Sequence, residues 1–74
     1  MAYSLIRVET GEKNRVMEVL RRVPEVKEAF LLDGVYDIVA KIEKESIEEL
    51  KDIVTSKIWS LNNLKLSETM ICVK

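Results

Sequence analysis

Leu31-Leu32-Asp33-Gly34-Val35-Tyr36-Asp37-Ile38-Val39-Ala40 sits in the middle of the chain and decides how the rest is read. Apolar runs from Ala29 to Leu32 and from Ile38 to Ile42 flank an Asp-Gly pair, the dipeptide that supplies the positive φ angles of a tight hairpin turn. The centre is therefore expected to be a β-hairpin. Tyr36 and Asp37 follow the turn, a phenol and a carboxylate at the hairpin mouth, held by strand rigidity but open to solvent. A small ligand is expected to bind here, although the same residues also make an ordinary good hairpin.

Working outward, Glu25 to Leu32 and Tyr36 to Lys44 become the second and third strands. Before them, Ala2 to Glu9 is rich in β-formers, with Tyr3 and Leu5 to one side and Ile6 and Val8 to the other. Thr10-Gly11-Glu12 breaks that strand. Val16, Met17, Leu20 and Val23 then recur at helical spacing, with Glu12 at the start and Arg21-Arg22 at the end complementing the macrodipole. Pro24 ends the helix, because it has no amide proton to give. After the hairpin, Ser46 with Glu49 forms a capping box, predicting a helix from Ile47. Its stripe is Ile47, Leu50, Val54, Ile58 and Leu61, with Ile53 at the margin and Trp59 well off it at about 100° per residue. Asn62-Asn63 closes it, and Leu64 to Val73 is the last strand.

Strand, helix, strand, strand, helix, strand is the ferredoxin-like βαββαβ pattern of the α+β class: a four-stranded antiparallel sheet with both helices on one face. The first and last strands nevertheless carry apolar side chains towards both faces, Met70 and Cys72 opposing Ile71 and Val73. An uncovered apolar face on a small domain marks an interface, predicting a homodimer packed sheet against sheet, with Trp59 available for a further contact.

A chain of 74 residues is one domain with a marginal core unless a disulfide, a metal or a partner supplements it. One cysteine excludes an internal disulfide, and the lack of histidine leaves no soft or imidazole metal site. Oligomerisation remains. With 47% hydrophobic residues the core is well supplied, and 12 basic against 13 acidic residues give no excess for neutralising phosphates. Direct DNA binding is not expected. No stretch has the length of a membrane span, and the protein is expected in the cytoplasm.

Catalysis finds little support. Without histidine no Ser-His or Cys-His arrangement exists, and Cys72 in an apolar strand reads as an inert core thiol. The acidic residues Glu43, Glu45, Glu48, Glu49 and Asp52 alternate with lysines and lack the glycine of a calcium loop, so no metal or other cofactor is expected. Ser67-Glu68-Thr69 stands out in the last strand as two hydroxyls and a carboxylate. Read alone, Ser67 and Glu68 face water and Thr69 is a β-former; read with Gly34, Tyr36 and Asp37, they are polar groups available to a ligand.

The run Ala29 to Ile42 resembles the Gly-x-Tyr/Phe-Asp signature in the amino-acid-sensing (RAM) domain of the leucine-responsive regulatory protein/AsnC family. The likeness extends over nearly the whole chain: Pro24-Glu25-Val26 entering the second strand, Ser46 to Leu61 as the acidic helix, and Ser67-Glu68-Thr69 leading into the last strand. It departs in three places. The chain starts at the first strand, where regulators of the family carry a helix-turn-helix domain; Asp33 stands where Thr or Ser is usual; and Asn62-Asn63 replaces Pro-Gly. The resemblance implies a stand-alone effector module without enzymatic activity. A small amino acid would bind between dimers, its carboxylate on backbone amides at Gly34, Val35 and Tyr36, its ammonium on Asp37, the Tyr36 phenol as a wall, and Ser67 or Thr69 completing the site. Dimers would assemble further, and co-assembly with full-length regulators of the family would carry the signal. A purely structural oligomeriser, or an ACT-type small-molecule domain, remains open beside it.

Overall fold

The computed structural model describes residues 1–62 and 64–71. Strand β1 (Ala2–Val8) leads into helix α1 (Lys13–Arg21), strands β2 (Val26–Leu31) and β3 (Ile38–Ile42), helix α2 (Ile47–Ile53) and strand β4 (Leu64–Ile71). The strands form one antiparallel sheet in the order β2-β3-β1-β4. This is the expected ferredoxin-like βαββαβ architecture. Cys72 and Val73, assigned above to the last strand, and Asn63 of the preceding connection lie outside the described residues.

Strand alternation separates two faces. Ala2, Ile6 and Val8 of β1 and Ile38, Ala40 and Ile42 of β3 are buried together with Val16, Met17 and Leu20 of α1 and Leu50, Val54 and Ile58 from the second helical region. Both helices thus cover one face. Ser4 is the buried polar residue of that face, and its hydroxyl is matched at 3.2 Å by the Thr69 hydroxyl on the neighbouring strand. Register places Phe30, Val39, Leu5 and Glu68 in one row across the sheet and Glu28, Lys41, Tyr3 and Met70 in the next, both on the opposite, helix-free face. Phe30, Leu66 and Met70 are each about half exposed, at 56%, 47% and 54%.

The two helices start differently. Ser46 caps α2 by accepting a hydrogen bond from the Glu49 amide at 3.1 Å, as the capping-box spacing predicts. Glu12 at the start of α1 makes no side-chain cap, and the chain reaches it through Gly11 at φ +83°.

One regular helix from Ile47 to Leu61 does not form. After Ile53 the chain widens into a π-helical turn over Val54–Ile58, with the Trp59 amide donating to the Val54 carbonyl at 2.8 Å. The apolar spacing explains the widening. Leu50, Val54 and Ile58 recur every four residues, and at about 100° per residue such a series drifts about 40° per step around the axis. A wider turn rotates less per residue and keeps all three on the sheet. Ile47 ends 43% exposed, at the edge of the stripe assigned to it, and Trp59 is 56% exposed.

Lys57 in the π turn donates to the Glu25 carboxylate at 2.9 Å, tying the second helical region to the start of β2. That hydrogen bond, with one from the Glu25 backbone, holds the Glu25 carboxyl below its ordinary value. The tie therefore contributes stability above the ordinary carboxylate range, and this contribution is lost as pH falls through the lowered value.

Candidate functional site

The connection from β2 to β3 is six residues long, 32–37, and is not a two-residue turn. The Leu32 amide donates to the Asp37 carbonyl at 2.7 Å and closes it. With this span there is no need for the left-handed backbone expected at Asp33-Gly34: Gly11 supplies the positive φ among the described residues, and Gly34 does not. Tyr36 and Asp37 accordingly lie in the connection rather than in β3. Gly34 and Val35 form its exposed tip, Val35 at 71% exposure, and a side chain at Gly34 would meet open space.

Asp37 is the most firmly fixed of the candidate residues. Its amide donates to the Ile6 carbonyl at 2.8 Å, and its carboxylate accepts from the Val8 amide at 2.9 Å. The side chain thereby prolongs the β1–β3 ladder beyond the last backbone pair, Ile6 with Ile38. Its other oxygen lies 3.7 Å from the Lys13 ammonium at the start of α1. A carboxylate has about four lone-pair positions, so these two contacts leave acceptor capacity on the solvent side. It lies in a cavity of about 270 Å³ at the end of the sheet.

Tyr36 projects over the helix-free face. Its hydroxyl reaches across β1 and donates to the Glu68 carboxylate on β4. This hydrogen bond, and then burial, push the phenol above its ordinary value of about 10. The bond therefore stabilises the fold below pH of about 10 and loses its effect as pH rises through the raised value. In a Tyr3→Phe background, where Tyr36 is the remaining tyrosine, absorbance titration is expected to show phenolate forming later than in a free phenol. Adding Glu68→Gln should bring the midpoint down; an unmoved midpoint would show that the carboxylate does not hold the phenol.

Ser67 and Thr69 do not join Tyr36. Strand alternation turns Glu68 to the helix-free face and its two neighbours to the helix side, where Ser67 pairs with Ile6 and Thr69 with Ser4. Thr69 satisfies Ser4 and, with Val54, Trp59 and Ile71, lines an apolar groove of about 360 Å³. The buried Ser67 hydroxyl has no hydrogen-bond partner among the described residues. Within one chain, then, Gly34 to Asp37 form one cluster and Ser67 and Thr69 another. Reading Glu68 as a water-facing residue missed its bond to Tyr36, which only the strand order reveals. Among the described residues no group of metal-ligating side chains occurs, and no helix is long and apolar enough to cross a membrane.

A family model described as the Lrp/AsnC ligand binding domain matches residues 1–74. The chain belongs to this family. It is 32% identical over 74 residues to the HTH-type transcriptional regulator FL11 of Pyrococcus furiosus, a match that takes in all of this chain and 48% of that protein. It thus spans about half the length of the curated relatives it matches. Among solved structures, FFRP-DM1 superposes with a TM-score of 0.92 at 35% identity, covering 97% of this chain and 96% of that one. The hypothetical protein PHS023 from Pyrococcus horikoshii does so with a TM-score of 0.92 at 34% identity, covering 99% and 88%. The Lrp/AsnC domain is a ligand-binding module of transcription regulators and not an enzyme.

Proposed function

We propose that this Lrp/AsnC domain is a cytoplasmic amino-acid sensor that works as an assembly of copies of itself. Asp37 takes the α-ammonium of the effector, the exposed amides around Gly34, Val35 and Tyr36 take its α-carboxylate, and the Tyr36 ring closes one side. The placement of Asp37 carries this reading: its carboxylate is held by the Val8 amide and its own amide by the Ile6 carbonyl, yet the side chain lines a solvent-open cavity beside the exposed loop tip. Ser67 and Thr69 belong to this site only as contributions from a neighbouring copy meeting the β4 edge. Ser67 is the better placed of the two, since Thr69 is already bonded to Ser4.

Phe30, Leu5, Val39, Tyr3 and Met70 on the helix-free face form the surface through which copies pair. Enclosing a charged effector between dimers links ligand to assembly, because binding favours whichever state completes the hydrogen bonds. Full-length regulators of the family are the natural recipients of the signal by co-assembly. Sedimentation velocity and calorimetry on the purified protein, alone and with pools of the twenty amino acids, test the proposal. An oligomer that binds one pool, with or without a change of size, is expected; an assembly that binds none leaves a structural oligomeriser.

A further inference from the structure

The cavity that holds Asp37 contains more positive charge than an α-amino acid backbone calls for. Arg7, Lys13 and Lys65 line it, against Asp37 and Glu9. Lys13 faces the Asp37 carboxylate, whereas Arg7 and Lys65 make no ion pair or side-chain hydrogen bond among the described residues. Lys65 is there because of a defect in the sheet. Arg7 pairs with Leu66 but Val8 pairs with Leu64, so Lys65 is the extra residue of a β-bulge. A bulge of this kind breaks the in–out alternation and re-aims a side chain. Lys65 of the edge strand thereby lines the same cavity as Arg7 of β1 and Lys13 of α1. Asp33, the acidic replacement in the loop, is not among the lining residues.

We infer that the effector of this domain is an amino acid with an acidic side chain, its second carboxylate held by Arg7 and Lys65 while its ammonium meets Asp37. The inference rests on the amino-acid reading above and adds the side-chain class. Two cations lining a cavity, neither in an ion pair among the described residues, repel the ammonium of a lysine-like ligand and gain nothing from an apolar one. A guanidinium beside an ammonium matches a carboxylate, which accepts charge-assisted hydrogen bonds from both.

Calorimetric titration of the intact protein with L-aspartate, L-asparagine, L-glutamate and L-glutamine separates the charge from the shape of the ligand. At least one acid is expected to bind about tenfold more tightly than its amide at low salt, with the ratio shrinking as salt rises. In the double variant Arg7→Gln/Lys65→Gln that ratio should fall to near one. Both residues are exposed and make no ion pair or side-chain hydrogen bond among the described residues, so the thermal midpoint serves as the check that the variant is folded. Amides that bind as well as the acids, or a ratio that survives the double substitution, overturn the inference. So does tight binding of another of the twenty amino acids with none by these four, which leaves the sensor reading standing. No binding by any of the twenty overturns both.

Discussion

Asp37→Ala is expected to lower the stability of the fold by about 1–3 kcal/mol, the effect of leaving a nearly buried main-chain donor without its acceptor. That donor is the Val8 amide, in a residue only 7% exposed. Asp37→Asn behaves differently. Its amide oxygen can still accept from Val8, so only the long contact with Lys13 is lost, an exposed pair worth at most about 1 kcal/mol. The charge that would meet an effector's ammonium is lost as well, and affinity should fall about 10- to 100-fold. Chemical denaturation separates the two substitutions, and calorimetry reads the second. Asp37→Asn that keeps both stability and amino-acid affinity would make Asp37 a strand-end fixture and nothing more. The alanine variant alone cannot distinguish these roles, because a domain of this size has little stability to spare.

The element order was legible because it follows from periodicity: two-residue alternation in Ala2 to Val8, the three-to-four-residue spacing of Val16, Met17 and Leu20, and the capping pair Ser46 and Glu49. The central connection was misread locally for a physical reason. Asp-Gly favours a two-residue turn, but Asp37 gains more by leaving the strand and taking both the carbonyl of Ile6 and the amide of Val8 from β1. That long-range bond outweighs the local turn preference, and nothing in the hairpin itself announces it. The π turn has a sequence signal that a single-period reading passes over, the four-residue spacing of Leu50, Val54 and Ile58. The candidate site was legible only in part. Tyr36 and Asp37 stand out as residue types, but Glu68 and Lys65 acquire meaning only from strand order and from a register slip. Neither is encoded in the spacing of residues along one strand.

Substituting Phe30→Glu and Met70→Glu together is expected to keep the protein monomeric over the concentrations at which the proposed sheet-to-sheet dimer of the unaltered protein forms. Both side chains are about half exposed on the helix-free face, so within one chain the substitutions remove little packing, and folding should change by about 0.5 kcal/mol or less per site. A two-fold interface presents every substitution twice. Four carboxylates would enter a surface whose two middle rows already carry Glu28 and Glu68, with Lys41 as the cation of those rows among the described residues. Burying unpaired charge on that scale should weaken association on the order of a thousandfold or more, about 4 kcal/mol. Sedimentation velocity reads the change directly. Thermal unfolding gives an independent sign: the midpoint of a dimer rises with protein concentration, and that dependence should vanish in the double variant. A variant that sediments with the unaltered protein would exclude the sheet face as the pairing surface. The loss of dimer should also carry away amino-acid affinity, since a site closed by a neighbouring copy has no half-strength form. An unchanged affinity in the monomer would place the whole site within one chain and make the separation of Ser67 and Thr69 from Asp37 a statement about which residues bind.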